Sequence, residues 1–210
     1  MSRCLPAMLI LQVLLLVAMS GCGKHSGGGA GSPPNREQAV AIAEIERLGG
    51  RVRFDDKVAG RPLYSVDLSG TGIGDDALKT VERLTELKVL ILGGTQVTDA
   101  GLVHIKRLTQ LRTLIVWCPR ITDAGLGHVK MLGHMETLDL DGTRVTDAGL
   151  QQVGELVTLQ RLSLNETQVT NAGLEHLKGL KALRGLSTVG TRVTPDGLKE
   201  LKKALPNLEK

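Results

Sequence analysis

Residues 135–156 read METLDLDGTRVTDAGLQQVGEL, and residues 87–108 read LKVLILGGTQVTDAGLVHIKRL. Both start on one beat: Leu63, Leu87, Leu111, Met135, Leu159 and Leu183 share a phase of 24 residues without a gap. The first part of each unit alternates apolar and polar residues, the period of a strand with one buried face. The second part sets apolar residues at helical spacing, as at Leu102, Ile105 and Leu108. One strand and one short helix cannot close a core alone. Units of fixed length therefore have to stack, and the chain is expected to be a solenoid.

The border between strand and helix is legible in the same frame. Thr98, Thr122, Thr146, Thr170 and Thr194 stand just before the helical pattern, where a hydroxyl accepts the free N–H groups of the first turn. Asp99, Asp123 and Asp147 follow, where a negative charge favours the helix dipole, and the same slot holds Pro195 in the sixth unit. These carboxylates read as helix-start chemistry and not as catalytic pairs. Gly101, Gly125, Gly149 and Gly173 fall inside the first turn, where each costs about 0.5 to 1 kcal/mol relative to Ala. Close packing between neighbouring coils is the expected reason.

The unit L-x-x-L-x-L-x-x-T-x-V-T-D-A-G-L-x-x-L-x-x-L, with the variant ITDAGL at residues 121–126, resembles the leucine-rich-repeat family over residues 63–205. It is nearest to the variety with an ITD-x-GL segment, close to the cysteine-containing type, found in F-box substrate receptors and many bacterial surface proteins. The resemblance implies an α/β horseshoe, with a parallel β-sheet on the concave face and short helices on the convex face. Where other varieties place Asn or Cys after the strand, this chain has Thr71, Thr95, Thr143, Thr167 and Thr191, with Pro119 breaking the series. Their hydroxyls are expected to bond to the adjacent coil.

Residues 36–62 precede the repeats and read as a helix and strand that cap the open end of the sheet. Asn35 is the expected N-cap, with Gln38 three residues on and Gly49 as the stop. Residues 63–210 hold six repeats and a short C-terminal end, where Leu205, Pro206, Asn207 and Leu208 start a further unit and stop.

Residues 1–21 carry one charge, Arg3, then an apolar run, then small residues before Cys22, the layout of a signal peptide. Residues 18–22 (AMSGC) resemble the lipobox of bacterial lipoproteins, which implies acylation at Cys22, although Met19 stands where Leu is usual. An ordinary secretory signal, or an uncleaved anchor with Cys22 incidental, is the alternative. Residues 22–35 follow as a Gly/Ser/Pro-rich tether with a random-coil reach of roughly 20 Å. The expected location is the bacterial cell envelope, lipid-anchored to a membrane and facing the periplasm or the exterior. Cys4 and Cys22 belong to this end, so Cys118 has no intrachain disulfide partner.

Hydrophobic residues make up 41% of the chain and aromatics only 1%, so the interior is aliphatic. A net charge of +4 is mild, and without a basic stripe or stacking rings no nucleic-acid partner is expected. His104, His128 and His176 recur at one helical phase, but on an outer, solvated face without carboxylates to complete a metal site. No nucleophile elbow, phosphate loop or HExxH motif is present, so neither enzymatic activity nor a cofactor is expected.

Function is expected on the concave face, where strand residues point away from the leucines. Val89, Ile91, Ile115 and Trp117 form an apolar patch beside Asp139, Asp141 and Arg161, with Thr113 between them. An anchor with a polar rim is the anatomy of a protein- or peptide-binding surface. The alternatives are that β-branched residues simply favour strands while Trp117 fills an irregular turn, and that the protein is a structural envelope component without a specific partner.

Overall fold

In the computed structural model, residues 35–209 are described; the signal segment, Cys22 and the tether up to residue 34 lie outside the described residues, as does Lys210. Helix α1 (Arg36–Arg47) and strand β1 (Arg51–Phe54) come first. Six coils follow, each with one strand: β2 (Leu63–Asp67), β3 (Val89–Ile91), β4 (Thr113–Ile115), β5 (Thr137–Asp139), β6 (Arg161–Ser163) and β7 (Gly185–Ser187). Their helices are α2 (Asp75–Val81), α3 (Asp99–Leu102), α4 (Asp123–Val129), α5 (Asp147–Val153), α6 (Asn171–Leu174) and α7 (Pro195–Ala204). Short 3-10 turns continue α3 and α6.

The seven strands form one sheet in sequence order. β1 pairs antiparallel with β2, and every later pair is parallel. The register is constant, Ser65 against Val89, Val89 against Thr113 and so on to Gly185, because each coil repeats the same length. The leucine columns fuse into one continuous core: Leu90, Leu114 and Leu138 from the strands, Leu78, Leu126 and Leu150 from the helices, all at 0% exposure. At about 1.5 to 3 kcal/mol for each fully buried aliphatic side chain, this column is the main force holding the stack.

Helix α1 starts as its sequence predicts. The Asn35 side chain accepts from the Gln38 N–H at 2.9 Å while the Gln38 side chain accepts from the Asn35 N–H at 3.0 Å. Ala41 and Ile45 are its buried face, and Gly49 leaves the helix at a φ of +84°.

The repeat aspartates have a second role that the helix-start reading missed. Each sits at the first helical position and also grips the next coil. Asp75 accepts the Thr98 N–H and hydroxyl, Asp99 those of Thr122, Asp123 those of Thr146 and Asp147 those of Thr170. Thr98, Thr122, Thr146 and Thr170 use the same hydroxyl oxygen to accept an N–H of their own helix, so they are N-caps and inter-coil links at once.

This carboxylate ladder explains the glycines in the first turns. A Cβ at Gly101, Gly125, Gly149 or Gly173 would overlap Oδ1 of Asp75, Asp99, Asp123 or Asp147 in the coil before. The first coil has no aspartate ladder before it, and there the position is Ala77. The last coil has Pro195 in the aspartate slot.

The other threonine series differs from expectation. Thr71, Thr95, Thr143, Thr167 and Thr191 donate to carbonyls three residues back in their own coil, at 2.6 to 2.7 Å, closing the turn locally. Of these five threonines only Thr95 also meets another coil, the third, where Pro119 interrupts the series. There Cys118 turns inward, 3.2 Å from the Thr95 hydroxyl, and donates to the Leu92 carbonyl at 3.1 Å. Cys118 is free and fully buried.

Candidate partner-binding face

The strand register aligns the side chains opposite the leucine core into columns. One runs Ser65, Val89, Thr113, Thr137, Arg161, Gly185; the next runs Asp67, Ile91, Ile115, Asp139, Ser163, Ser187. Just past the strands stand Ser69, Gly93, Trp117, Asp141, Asn165 and Val189. Val89, Ile91 and Ile115, Trp117, Asp139, Asp141 and Arg161 thus share one region across β3 to β6.

That region is less open than the sequence suggests. Val89, Ile91, Thr113, Ile115 and Asp139 are 2 to 5% exposed, although the three aliphatic ones stand apart from the leucine core. Trp117, Asp141 and Arg161 are half-buried, so the accessible part of the set lies toward the C-terminal ends of the strands and on the fifth coil.

Trp117 has a built socket. An added Cβ at Gly93 would lie 2.8 Å from Cε3 of the indole and 3.4 Å from Cδ2, so the ring lies over Gly93 and only a glycine leaves it room. Its Nε1 is buried and makes no hydrogen bond.

Asp139 is the most perturbed acid among the described residues. Burial pushes its carboxyl up to about 7, and the nearby charge of Asp141 pushes the same way. The Asp141 N–H, donated to Asp139 Oδ1 at 3.1 Å, only partly offsets this.

Asp141 opens a polar ladder over the last three coils. Its Oδ1 accepts from the Ser163 hydroxyl at 2.6 Å and from the Asn165 N–H at 2.8 Å, and its Oδ2 from the Asn165 amide at 2.9 Å. Asn165 Oδ1 in turn accepts from the Ser187 hydroxyl and the Val189 N–H, both at 2.7 Å. At the opposite end Asp67 accepts from Ser69 and pairs with Arg51 at 2.6 Å. The Asp141 and Asn165 slots in successive coils were the available sequence signal for this ladder, but its bonds run between residues more than 20 positions apart.

The histidines differ in environment. His104 is half-buried: its Nδ1 lies 2.7 Å from Glu82, which Arg107 also contacts at 3.3 Å. The hydrogen bond to His104 is the largest cause holding the Glu82 carboxyl below its usual range. His176 is exposed. Among the described residues no three His, Cys, Asp or Glu side chains converge as a metal site.

A family model for the leucine-rich repeat matches residues 134–153. Among solved structures, an internalin from Listeria monocytogenes superposes with a TM-score of 0.53 at 25% identity, over 62% of this chain. The chain spans 36% of the length of that internalin. An internalin C2 from the same organism gives a TM-score of 0.55 at 21% identity, with 88% of each chain covered. No curated protein matches the sequence. These matches and the stacked coils give the chain the fold of a leucine-rich-repeat solenoid.

Proposed function

We propose that the chain is an envelope-anchored scaffold that captures a protein or peptide on its concave face. The observation that carries this reading is an apolar cluster, Val89, Ile91 and Ile115, on the sheet side away from the leucine core. Beside it lies an indole seated on a glycine, with Asp141 at the same place in the next coil and Arg161 at the start of β6. A core needs no such cluster on its far side, whereas an interface centre does. The partner meets Trp117, Asp141 and Arg161 first, with Thr113 and Asp139 in the sheet beneath them. No catalytic role enters this reading.

Cross-linking in the native cell, followed by mass spectrometry, identifies the partner. Replacing Trp117 with Ala should then weaken its capture by about 30-fold, the scale of a central aromatic anchor. Ile91→Thr with Ile115→Thr, which keep the β-branch these nearly buried strand positions favour, should abolish capture with an unchanged circular-dichroism spectrum. Capture that survives all three substitutions excludes this face. If no partner cross-links reproducibly, the structural envelope role replaces the scaffold.

Anchoring through a lipid on Cys22 belongs to the same proposal. It rests on the AMSGC segment at the end of the apolar run and on the Gly/Ser/Pro stretch after it. Radiolabelled palmitate should label the wild-type chain and not Cys22→Ser; equal labelling of both removes the anchor.

A further inference from the structure

The charged side chains on the concave columns are Asp67, Asp139, Asp141 and Arg161. Asp67 is paired with Arg51. Arg161 stands at the start of β6, four positions before the Asn165 slot that meets Asp141, or roughly 13 Å away at about 3.3 Å per residue. On the columns at the C-terminal ends of β4 to β6 the charge is therefore carboxylate alone. No ion pair of the described residues includes Asp139 or Asp141.

Hydrogen-bonding capacity there is equally one-sided. The Ser163 hydroxyl and the Asn165 N–H donate to Asp141, the Asn165 amide donates to Asp141 and Ser163, and the Ser187 hydroxyl and the Val189 N–H donate to Asn165. The Asp141 N–H is spent on Asp139, and the Trp117 Nε1–H is buried without a partner. All these donors are committed inside the protein. A partner meets lone pairs, on Asp141 Oδ2 and the Ser187 hydroxyl oxygen, and must bring donors of its own.

The indole is the other wall of this place. Trp117 and Asp141 hold the same slot in successive coils, about 4.8 Å apart at the backbone, and Gly93 seats the ring on its other side. Trp117 is half-buried, so part of the ring stays open beside the carboxylate. Ile115, 3% exposed, adds apolar surroundings in which a charge pair is worth more than in water.

We propose that this place takes an arginine side chain of the captured protein or peptide, its guanidinium set against Asp141 and Asp139 and along the Trp117 indole. A guanidinium donates two parallel N–H bonds to a carboxylate and stacks on an aromatic ring, a combination that a neutral amide lacks. Burial and the charge of Asp141 hold the Asp139 carboxyl up in the free protein, and a seated cation lets both carboxylates ionise. The arginine site rests on the concave-face reading of the partner.

Trp117 is the single tryptophan of the sequence, so its emission reports on this place directly. The full chain is titrated with acetyl-Leu-Arg-Leu-Arg-Leu-amide and with the same peptide carrying citrulline, which keeps the shape of arginine and removes its charge. The arginine peptide should bind at least tenfold more tightly, and in Asp141→Asn, with its circular-dichroism spectrum checked, the two should agree within about twofold. Equal affinities for the wild-type chain overturn the arginine site and leave the concave-face reading standing. A preference for arginine that Asp141→Asn leaves intact, or no emission change with either peptide up to millimolar concentration, also overturns it. The concave face itself fails separately, when capture of the cross-linked partner survives Trp117→Ala and the isoleucine substitutions.

Discussion

Asp99 holds Thr122 of the next coil at two points, its Oδ1 accepting the backbone N–H at 2.8 Å and its Oδ2 the hydroxyl at 2.6 Å. The hydroxyl also accepts the Ala124 N–H at 3.3 Å. One threonine thus starts its own helix and fastens it to the coil behind.

The same link at Asp123 gives a graded test. Asp123→Ala removes two charge-assisted bonds and orphans the Thr146 N–H, which should destabilise the fold by about 2 to 3 kcal/mol. Asp123→Asn should lose clearly less, because Asn171 already binds the Thr194 N–H and hydroxyl oxygen, both at 2.9 Å. Urea midpoints of the two variants decide it; equal losses would mean that the carboxylate acts only on its own helix.

Gly149→Ala should reverse the usual sign. In an ordinary helix such a change gains about 0.5 to 1 kcal/mol. Here the new methyl would overlap Asp123 Oδ1 and come within 2.9 Å of Leu126 Cδ1 and 3.0 Å of Val145 Cγ1. A loss of about 1 to 3 kcal/mol is expected, the scale of overpacking. A thermal midpoint above wild type would refute the overlap.

Stability should fall as pH rises from about 4 to about 7. Folding raises the Asp139 carboxyl to about 7, while in the unfolded chain it titrates near its ordinary value of about 3.9. Between these values the native state holds a proton that the unfolded state has released. Raising the pH through this window therefore costs up to about 1.4 kcal/mol per unit. Asp139→Asn should show a thermal midpoint flat over this interval and higher than wild type at pH 8. Parallel curves for the two proteins would exclude Asp139 as the titrating group.

Cys118 should be inert in the native state. Burial pushes its thiol up, against the weaker pull of the Thr95 contacts, and no part of the side chain is exposed. Iodoacetamide at pH 8 should label it only after denaturant is added. Rapid native labelling would require the third coil to open locally.

Much of the architecture was legible before any coordinate. The 24-residue beat placed the strands, the leucine columns and the helix starts, because period 2 and helical spacing are local properties of the backbone. The Asn35 cap and the Gly49 exit were legible for the same reason. Trp117, Asp139, Asp141 and Arg161 could be assigned to one face from the strand alternation alone.

The sequence by itself determined the repeat, the inward leucines and the order of the sheet. Tertiary stacking decided that Asp99 reaches Thr122, that Gly101 yields space to Asp75, that Asp139 is buried beside Trp117, and that Asp141 meets Ser163 and Asn165. The division has one physical cause. A residue's periodicity depends on its own few neighbours, whereas each of these contacts joins side chains about one coil apart, and their distance exists only after the coils have stacked.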